Sequence, residues 1–171
     1  MKIGFASLIG VEPMPFPELL TWAATNGLAA IEVNVGSNFP DIDGAGFPGH
    51  LDLKTIAAHG PGEILDLAGR AGVELASLAP MINLLTSDLS LRERRIEEFI
   101  TAIDAAAKLK IDTVVTFTGS AFGMHFWGMP GVGDSHPSNR VADNLKIFRE
   151  VYGPMAEYAG ERGVRIAFET A

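Results

Sequence analysis

The sequence contains no cysteine. Thiolate metal sites, thiol nucleophiles and disulfide staples are thereby excluded, although the compartment is left open. Basic residues are the minority, 13 Lys and Arg against 21 Asp and Glu, for a formal net charge of −8. Gripping a nucleic-acid backbone takes clustered cations, so no nucleic-acid partner is expected. Long apolar runs are missing too. The N-terminal MKIGFASLIGVEP is interrupted by Glu12 and Pro13, too early for a secretory signal or a membrane span. A cytoplasmic protein with no membrane partner is the expectation. No G-x-G-x-x-G or G-x-x-x-x-G-K follows the first strand, and no H-x-x-H, H-E-x-x-H or G-x-S-x-G appears anywhere. The usual nucleotide-binding, metalloprotease and serine-hydrolase readings lose their support.

What is present is ordinary globular chain. Hydrophobic residues make up 47% of 171 positions, enough for one domain to bury roughly two-thirds of its unfolded surface. Residues 2–8 (KIGFASL) form a short apolar run suited to a buried strand. Phe16, Leu19, Leu20 and Ala23 recur at helical spacing over 16–26, and Gly27 suits the cap that follows. Residues 28–35 (LAAIEVNV) alternate, with Ile31, Val33 and Val35 on one side and Glu32 and Asn34 on the other. A Gly/Pro-rich loop is expected over 36–49 and a helix over about 61–71, with Pro61 in its first turn and Gly72 after its end. VELASLAPM (73–81) is the third strand. Ser90 and Glu93 have the spacing of a capping box, opening a helix to about Leu109 that buries Ile96, Phe99, Ile100, Ile103 and Ala107. DTVVTFTG (112–119) is the fourth strand. After a loop of about twenty residues, a helix over 139–162 carries Leu145, Phe148, Tyr152, Met155 and Tyr158 in one stripe, with a kink expected at Pro154. VRIAFETA (164–171) is the fifth strand.

A helix between each pair of strands demands a parallel sheet with right-handed crossovers. Central strands of an open doubly wound sheet are apolar on both faces. Here Glu32 and Asn34 share one face of strand two, and Glu169 shares a face with Ala167 in strand five, while the opposite faces are wholly apolar. Polar groups confined to one face suit the mouth of a (β/α)₈ barrel, of which the chain would supply five strands and four helices, a single incomplete domain over 1–171.

In such a barrel the chemistry lies at the C-terminal ends of the strands and in the loops after them. That rim offers Ser7 and Glu12 after strand one, and Glu32, Asn34 and His50 around strand two. Asn83 follows strand three. Thr116, Thr118 and the long loop with His125, Trp127, Asp134 and His136 follow strand four, and Glu169 ends strand five. Glu169 is the strongest candidate, because an inward carboxylate is costly unless it binds a cation or accepts hydrogen bonds. The alternative is a solvated carboxylate at a frayed end. Glu32 either orients a substrate hydroxyl or forms a structural ion pair with Lys or Arg. Phe122, Phe126 and Trp127, with Met124 and Met129, either form an apolar lid or cover the rim or a subunit interface. His125 and His136 are acid/base groups, ligands or surface residues. His59 belongs to the turn before Gly60 and Pro61.

The segments KIGFAS, GLAAIEVNV, GVELASLAP, AAKLKIDTVVTFTG and AEYAGERGVRIAFET together resemble the sugar phosphate isomerase/epimerase family of xylose-isomerase-like TIM barrels. The resemblance implies a divalent metal, Mn²⁺, Mg²⁺ or Zn²⁺, at the barrel mouth and a small sugar as substrate. It places the family's first metal carboxylate, which would also serve in proton transfer, on Glu169. Glu32, His50, Asn83, His125 and Trp127 are then the candidates for substrate contact. The family's other ligands, an Asp, a His and a second Glu, come from strands six to eight, which this sequence does not contain. The implied reaction is proton transfer beside a sugar carbonyl.

A closed barrel takes about 250 residues. With five strands, the strand-five edge would stay unpaired. Further sequence, a partner chain or a second copy is expected to cover it. The readings that remain are the N-terminal part of a metal-dependent isomerase or epimerase, a partial barrel inactive without its partner, and an apurinic-endonuclease-like DNA repair barrel.

Overall fold

Strand two shows how the fold is built. Ile31, Val33 and Val35 are buried on one side, while Glu32, between them, is only half-buried on the other. In a computed structural model the chain is described over residues 2–7, 14–35, 49–80, 82–86, 88–118 and 141–169. In order these carry β1 (Gly4–Ala6), α1 (Phe16–Thr25), β2 (Ala30–Asn34), α2 (Leu53–His59), α3 (Ile64–Ala71), β3 (Glu74–Ala79), α4 (Leu89–Lys108), β4 (Thr113–Phe117), α5 (Val141–Gly160) and β5 (Arg165–Glu169). All five strands are parallel and adjacent in sequence order, β1-β2-β3-β4-β5. The sheet advances one strand at a time in a single direction, as a barrel wall does; a doubly wound sheet reverses its order.

The helices cover one face. Phe5 of β1 meets Trp22 of α1 edge-on at 5.2 Å between ring centres, and Phe168 of β5 meets Phe148 and Tyr152 of α5 at 5.1 and 4.8 Å. Strand periodicity therefore assigns Ala6, Glu32, Asn34, Val115, Ala167 and Glu169 to the opposite, inner face. β1 approaches β2 closely: a Cβ at Gly4 would stand 2.8 Å from the Ala30 carbonyl oxygen, so only glycine fits there. α3 ends on Gly72 at φ +68°, the left-handed conformation expected of that position.

Four expectations about the elements change. α2 was not anticipated, and His59 is its last residue, not part of a turn. The following helix begins at Ile64, so Pro61 lies in the link between α2 and α3. The buried stripe of α4 runs through Arg95, Phe99, Ala102, Ile103 and Ala106, leaving Ile96, Ile100 and Ala107 at its margin. Leu145 of α5 is 47% exposed, outside the stripe formed by Tyr152, Met155 and Ala159.

The start of α4 is also corrected. Its N-cap is Asp88, whose backbone is extended and whose Oδ1 accepts the Leu91 N–H at 3.0 Å. Ser90 lies inside the helix and donates its hydroxyl to the same oxygen at 3.0 Å. A carboxylate answers the positive helix end better than a hydroxyl, and it accepts from two donors at once. Asp88→Ala is expected to cost about 1 kcal/mol and Ser90→Ala a few tenths, read as shifts of the urea midpoint. The reverse order would restore Ser90 as the cap.

Candidate functional site

Parallel strands bring all their C-terminal ends to one rim, and the loops there are tied down individually. Ser7, just past β1, donates its N–H to the Glu32 carbonyl at 3.0 Å and accepts the Asn34 N–H on its hydroxyl at 2.8 Å. The tips of β1 and β2 are stitched together by the backbone and the hydroxyl of this one buried residue. His50 donates its backbone N–H to the Asn34 carbonyl at 3.0 Å, and its Nδ1 stands 3.3 Å from the Met14 carbonyl oxygen. The imidazole thus joins the segment entering α2 to the segment entering α1, at the rim where the sequence placed it.

Asn83, after β3, accepts the Leu85 N–H on its side-chain oxygen at 3.0 Å, a local turn. Its carbonyl takes the Nη1 of Arg95 at 2.9 Å, and Arg92 holds the Thr86 and Leu85 carbonyls at 2.9 and 3.3 Å. Two arginines of the first turns of α4 therefore clamp the β3 loop. Arg95 is only 4% exposed, and sequence reasoning missed it because the expected stripe began at Ile96, one residue further on. A buried cation is stable only with such acceptors.

One candidate changes sides. Thr116, placed at the mouth by the sequence, is fully buried on the helix face, and its hydroxyl donates to the Ile82 carbonyl at 3.3 Å. Beside it Tyr152 of α5 donates its hydroxyl to the Phe117 carbonyl at 3.1 Å, fastening the end of β4. Burial raises the Tyr152 pKa well above the usual phenol value, partly offset by its hydrogen bond with Thr116. Below about pH 10 the phenol is neutral in both states. Above it the unfolded chain releases a proton that the folded chain retains, so stability falls as pH rises. Tyr152→Phe is expected to cost about 1 kcal/mol at pH 8 and to flatten that alkaline loss; urea midpoints between pH 8 and 11 measure both.

Glu32 lies on the inner face, and its Oε2 accepts the Ser77 hydroxyl at 2.9 Å. Among the described residues no Lys or Arg pairs with it, so the ion-pair alternative is not what the structure shows. Glu169 stands opposite Phe117 in the β4–β5 register, at the end of β5, exposed on the inner face. Two strands separate β2 from β5, so the two carboxylates occupy different sectors of the rim. Thr118 is exposed past β4. Glu12, Phe122, Met124, His125, Phe126, Trp127, Met129, Asp134 and His136 lie outside the described residues. Among the described residues no group of three His, Asp or Glu side chains is placed to hold a metal ion. These residues alone do not fit the expected metal. A cleft of about 260 Å³ at the rim, lined by Leu53, Lys54, Ile82 and Glu98 among others, lies between α2 and α4, away from both inner-face carboxylates.

The family model described as xylose isomerase-like TIM barrel matches residues 20–171, nearly all of the elements above. The chain belongs to that family. No curated protein matches the sequence. Among solved structures, this barrel is similar to a D-psicose 3-epimerase determined in the presence of D-fructose (20% identity, TM-score 0.64), covering 99% of this chain and 52% of the other. It is also similar to the 3-keto-D-glucoside 4-epimerase of E. coli (13%, TM-score 0.65), covering 97% and 54%. A probable 3-DHS dehydratase of Bacillus anthracis is similar as well (12%, TM-score 0.62), covering 99% and 52%. The chain thus spans about half the length of these three solved structures. At these identities the likeness is one of fold: five strands of the barrel wall, with their helices. Among the described residues, no helix of the barrel is long and apolar enough to cross a membrane.

Proposed function

We propose that this chain is the N-terminal part of a metal-dependent isomerase or epimerase that moves a proton beside the carbonyl of a sugar or sugar phosphate. The observation that carries the reading is Glu169, an exposed carboxylate at the C-terminal end of β5 on the inner face of a xylose isomerase-like barrel. Two of the structures of similar fold are sugar epimerases by their descriptions, which favours this chemistry over the dehydratase.

Glu169 would take the proton from the carbon next to the carbonyl, whose C–H electron pair shifts toward the carbonyl oxygen. Returning the proton to the other face of that carbon gives an epimer; returning it to the neighbouring carbon gives the aldose–ketose isomer. His50 and Asn83, fixed at the rim by their backbone partners, are proposed to contact substrate, as are His125 and Trp127 of the long loop. The described residues do not complete a ligand set, so a divalent ion (Mn²⁺, Mg²⁺ or Zn²⁺) held partly by Glu169 would draw its other ligands from residues beyond Ala171. We propose a cytoplasmic location, and a partner or second copy at the β5 edge if further strands do not cover it.

The test is solvent exchange. The protein carrying this chain together with the strands that follow Ala171, in D₂O and supplied in turn with Mn²⁺, Mg²⁺ and Zn²⁺, is incubated with aldoses, ketoses and their phosphates, and NMR follows deuterium entering next to the carbonyl. Enzyme-dependent exchange with one of them supports the reading. No exchange with any of them overturns it.

A further inference from the structure

The pairing of β2 with β3 slips by one residue: Ile31 stands opposite Leu75, but Glu32 stands opposite Ser77, leaving Ala76 unpaired between them. Regular alternation from Leu75, which packs into the core with Ile31, would turn Ser77 toward the helices. The slip turns it inward instead, 94% buried, with its hydroxyl on the Glu32 carboxylate. Leu78, next along, returns to the core opposite Val33. Irregularities of this kind recur beside active sites, where they re-aim a side chain.

The group so aimed has capacity left. A carboxylate only accepts, and its two oxygens offer about four lone-pair sites, of which Ser77 fills one. Barrel interiors are ordinarily filled by Val, Ile and Leu. Around Glu32 the inner face carries small residues instead: Ala6 beside it on β1, Ala30 below it and Ala79 opposite Asn34 on β3. Ala6, Ala30 and Ala79 offer no side-chain donor, and among the described residues Ser77 is the donor placed on this carboxylate, so lone pairs are left over for the hydroxyls of a ligand.

We infer that Glu32 is a substrate-hydroxyl acceptor in the barrel lumen and that Ser77 is its positioning residue, holding one carboxylate oxygen so that the other faces the ligand. The inference rests on the reading of the lumen as a sugar site, and it is independent of the proton transfer assigned to Glu169. Dissociation constants for D-fructose and D-fructose 6-phosphate, measured by NMR titration on the intact protein, test it. Glu32→Gln and Ser77→Ala are each expected to weaken binding of the bound sugar roughly tenfold or more, the loss typical of a hydrogen bond to a charged group. Because Ser77 acts through Glu32, the double variant should be no weaker than Glu32→Gln alone, and Ser77→Thr, which keeps the hydroxyl, should bind like wild type. Additive losses, unchanged binding in Glu32→Gln, or no saturable binding of either sugar by wild type would each overturn it. Circular-dichroism melts of the same proteins identify any variant that has unfolded, in which case whichever of Glu32→Gln and Ser77→Ala stays folded decides. Absence of deuterium exchange with these binding effects intact removes the proposed reaction and leaves this inference standing.

Discussion

Glu169→Gln is expected to lower the rate of deuterium exchange into the sugar by about 10³-fold, while the unfolding midpoint stays where it was. The two halves of that result have separate causes. Gln keeps the size of Glu and loses the carboxylate, which is both the proton acceptor and the group proposed to help hold the divalent ion, so the function is lost outright. A thousandfold loss corresponds to about 4 kcal/mol of transition-state stabilisation, far above what an altered surface charge produces. Glu169 is exposed at the end of a strand, and substitutions at such places change stability by about 0.5 kcal/mol or less. Glu161, exposed just past α5 and 3.8 Å from the Arg162 guanidinium, supplies the control: Glu161→Gln should leave both rate and midpoint unaltered. Exchange within tenfold of wild type in Glu169→Gln would remove this carboxylate from the reaction, and a lowered midpoint would recast it as structural.

The barrel wall could be read in the sequence because its signals are local and periodic. Ile31, Val33 and Val35 alternate with Glu32 and Asn34, and that parity alone separated helix face from inner face. Phe16, Leu19, Leu20 and Ala23 are all buried, as their spacing required. Failures came where a partner from elsewhere decides the outcome. Ser77 sits on the inner face only because β3 slips against β2, and no pattern within 73–81 records that slip. Ser90 and Glu93 satisfy the capping-box spacing, yet Asp88 takes the cap two residues earlier. α2 is 7 residues long with Ile56 as its one buried residue, too short to show a face of its own. Arg95 is a core residue only because the Asn83 carbonyl, from the β3 loop, accepts from its guanidinium. The fifth strand, expected over 164–171, runs over Arg165–Glu169, and its pairing of Glu169 with Phe117 could not be read from VRIAFETA alone.

The second large effect is on stability. Phe99→Ala is expected to cost about 3–5 kcal/mol, measured as a drop in the urea midpoint with unchanged slope. Phe99 has no exposed surface and sits at the centre of the α4 stripe, with its ring 6.2 Å from that of Tyr152 in an edge-to-face arrangement. Removing it loses the transfer energy of the ring and leaves a cavity, and an edge-to-face pair adds about 0.5–1.5 kcal/mol. Against a total of about 5–15 kcal/mol, that is enough to leave a substantial unfolded fraction at body temperature. A competing account credits the contact of α4 with α5 to their outer clamp. There Tyr158 donates to Asp104 at 2.9 Å, Arg162 reaches the same carboxylate at 2.8 Å, and its guanidinium lies 3.4 Å over the Tyr158 ring. The Arg162 and Asp104 side chains are each one-third exposed, however, and water-accessible ion pairs are worth about 0–1 kcal/mol. Arg162→Ala should therefore cost about 1 kcal/mol, a third or less of the Phe99 effect. Equal costs would show that the clamp, and not the buried ring, holds the two helices against the sheet.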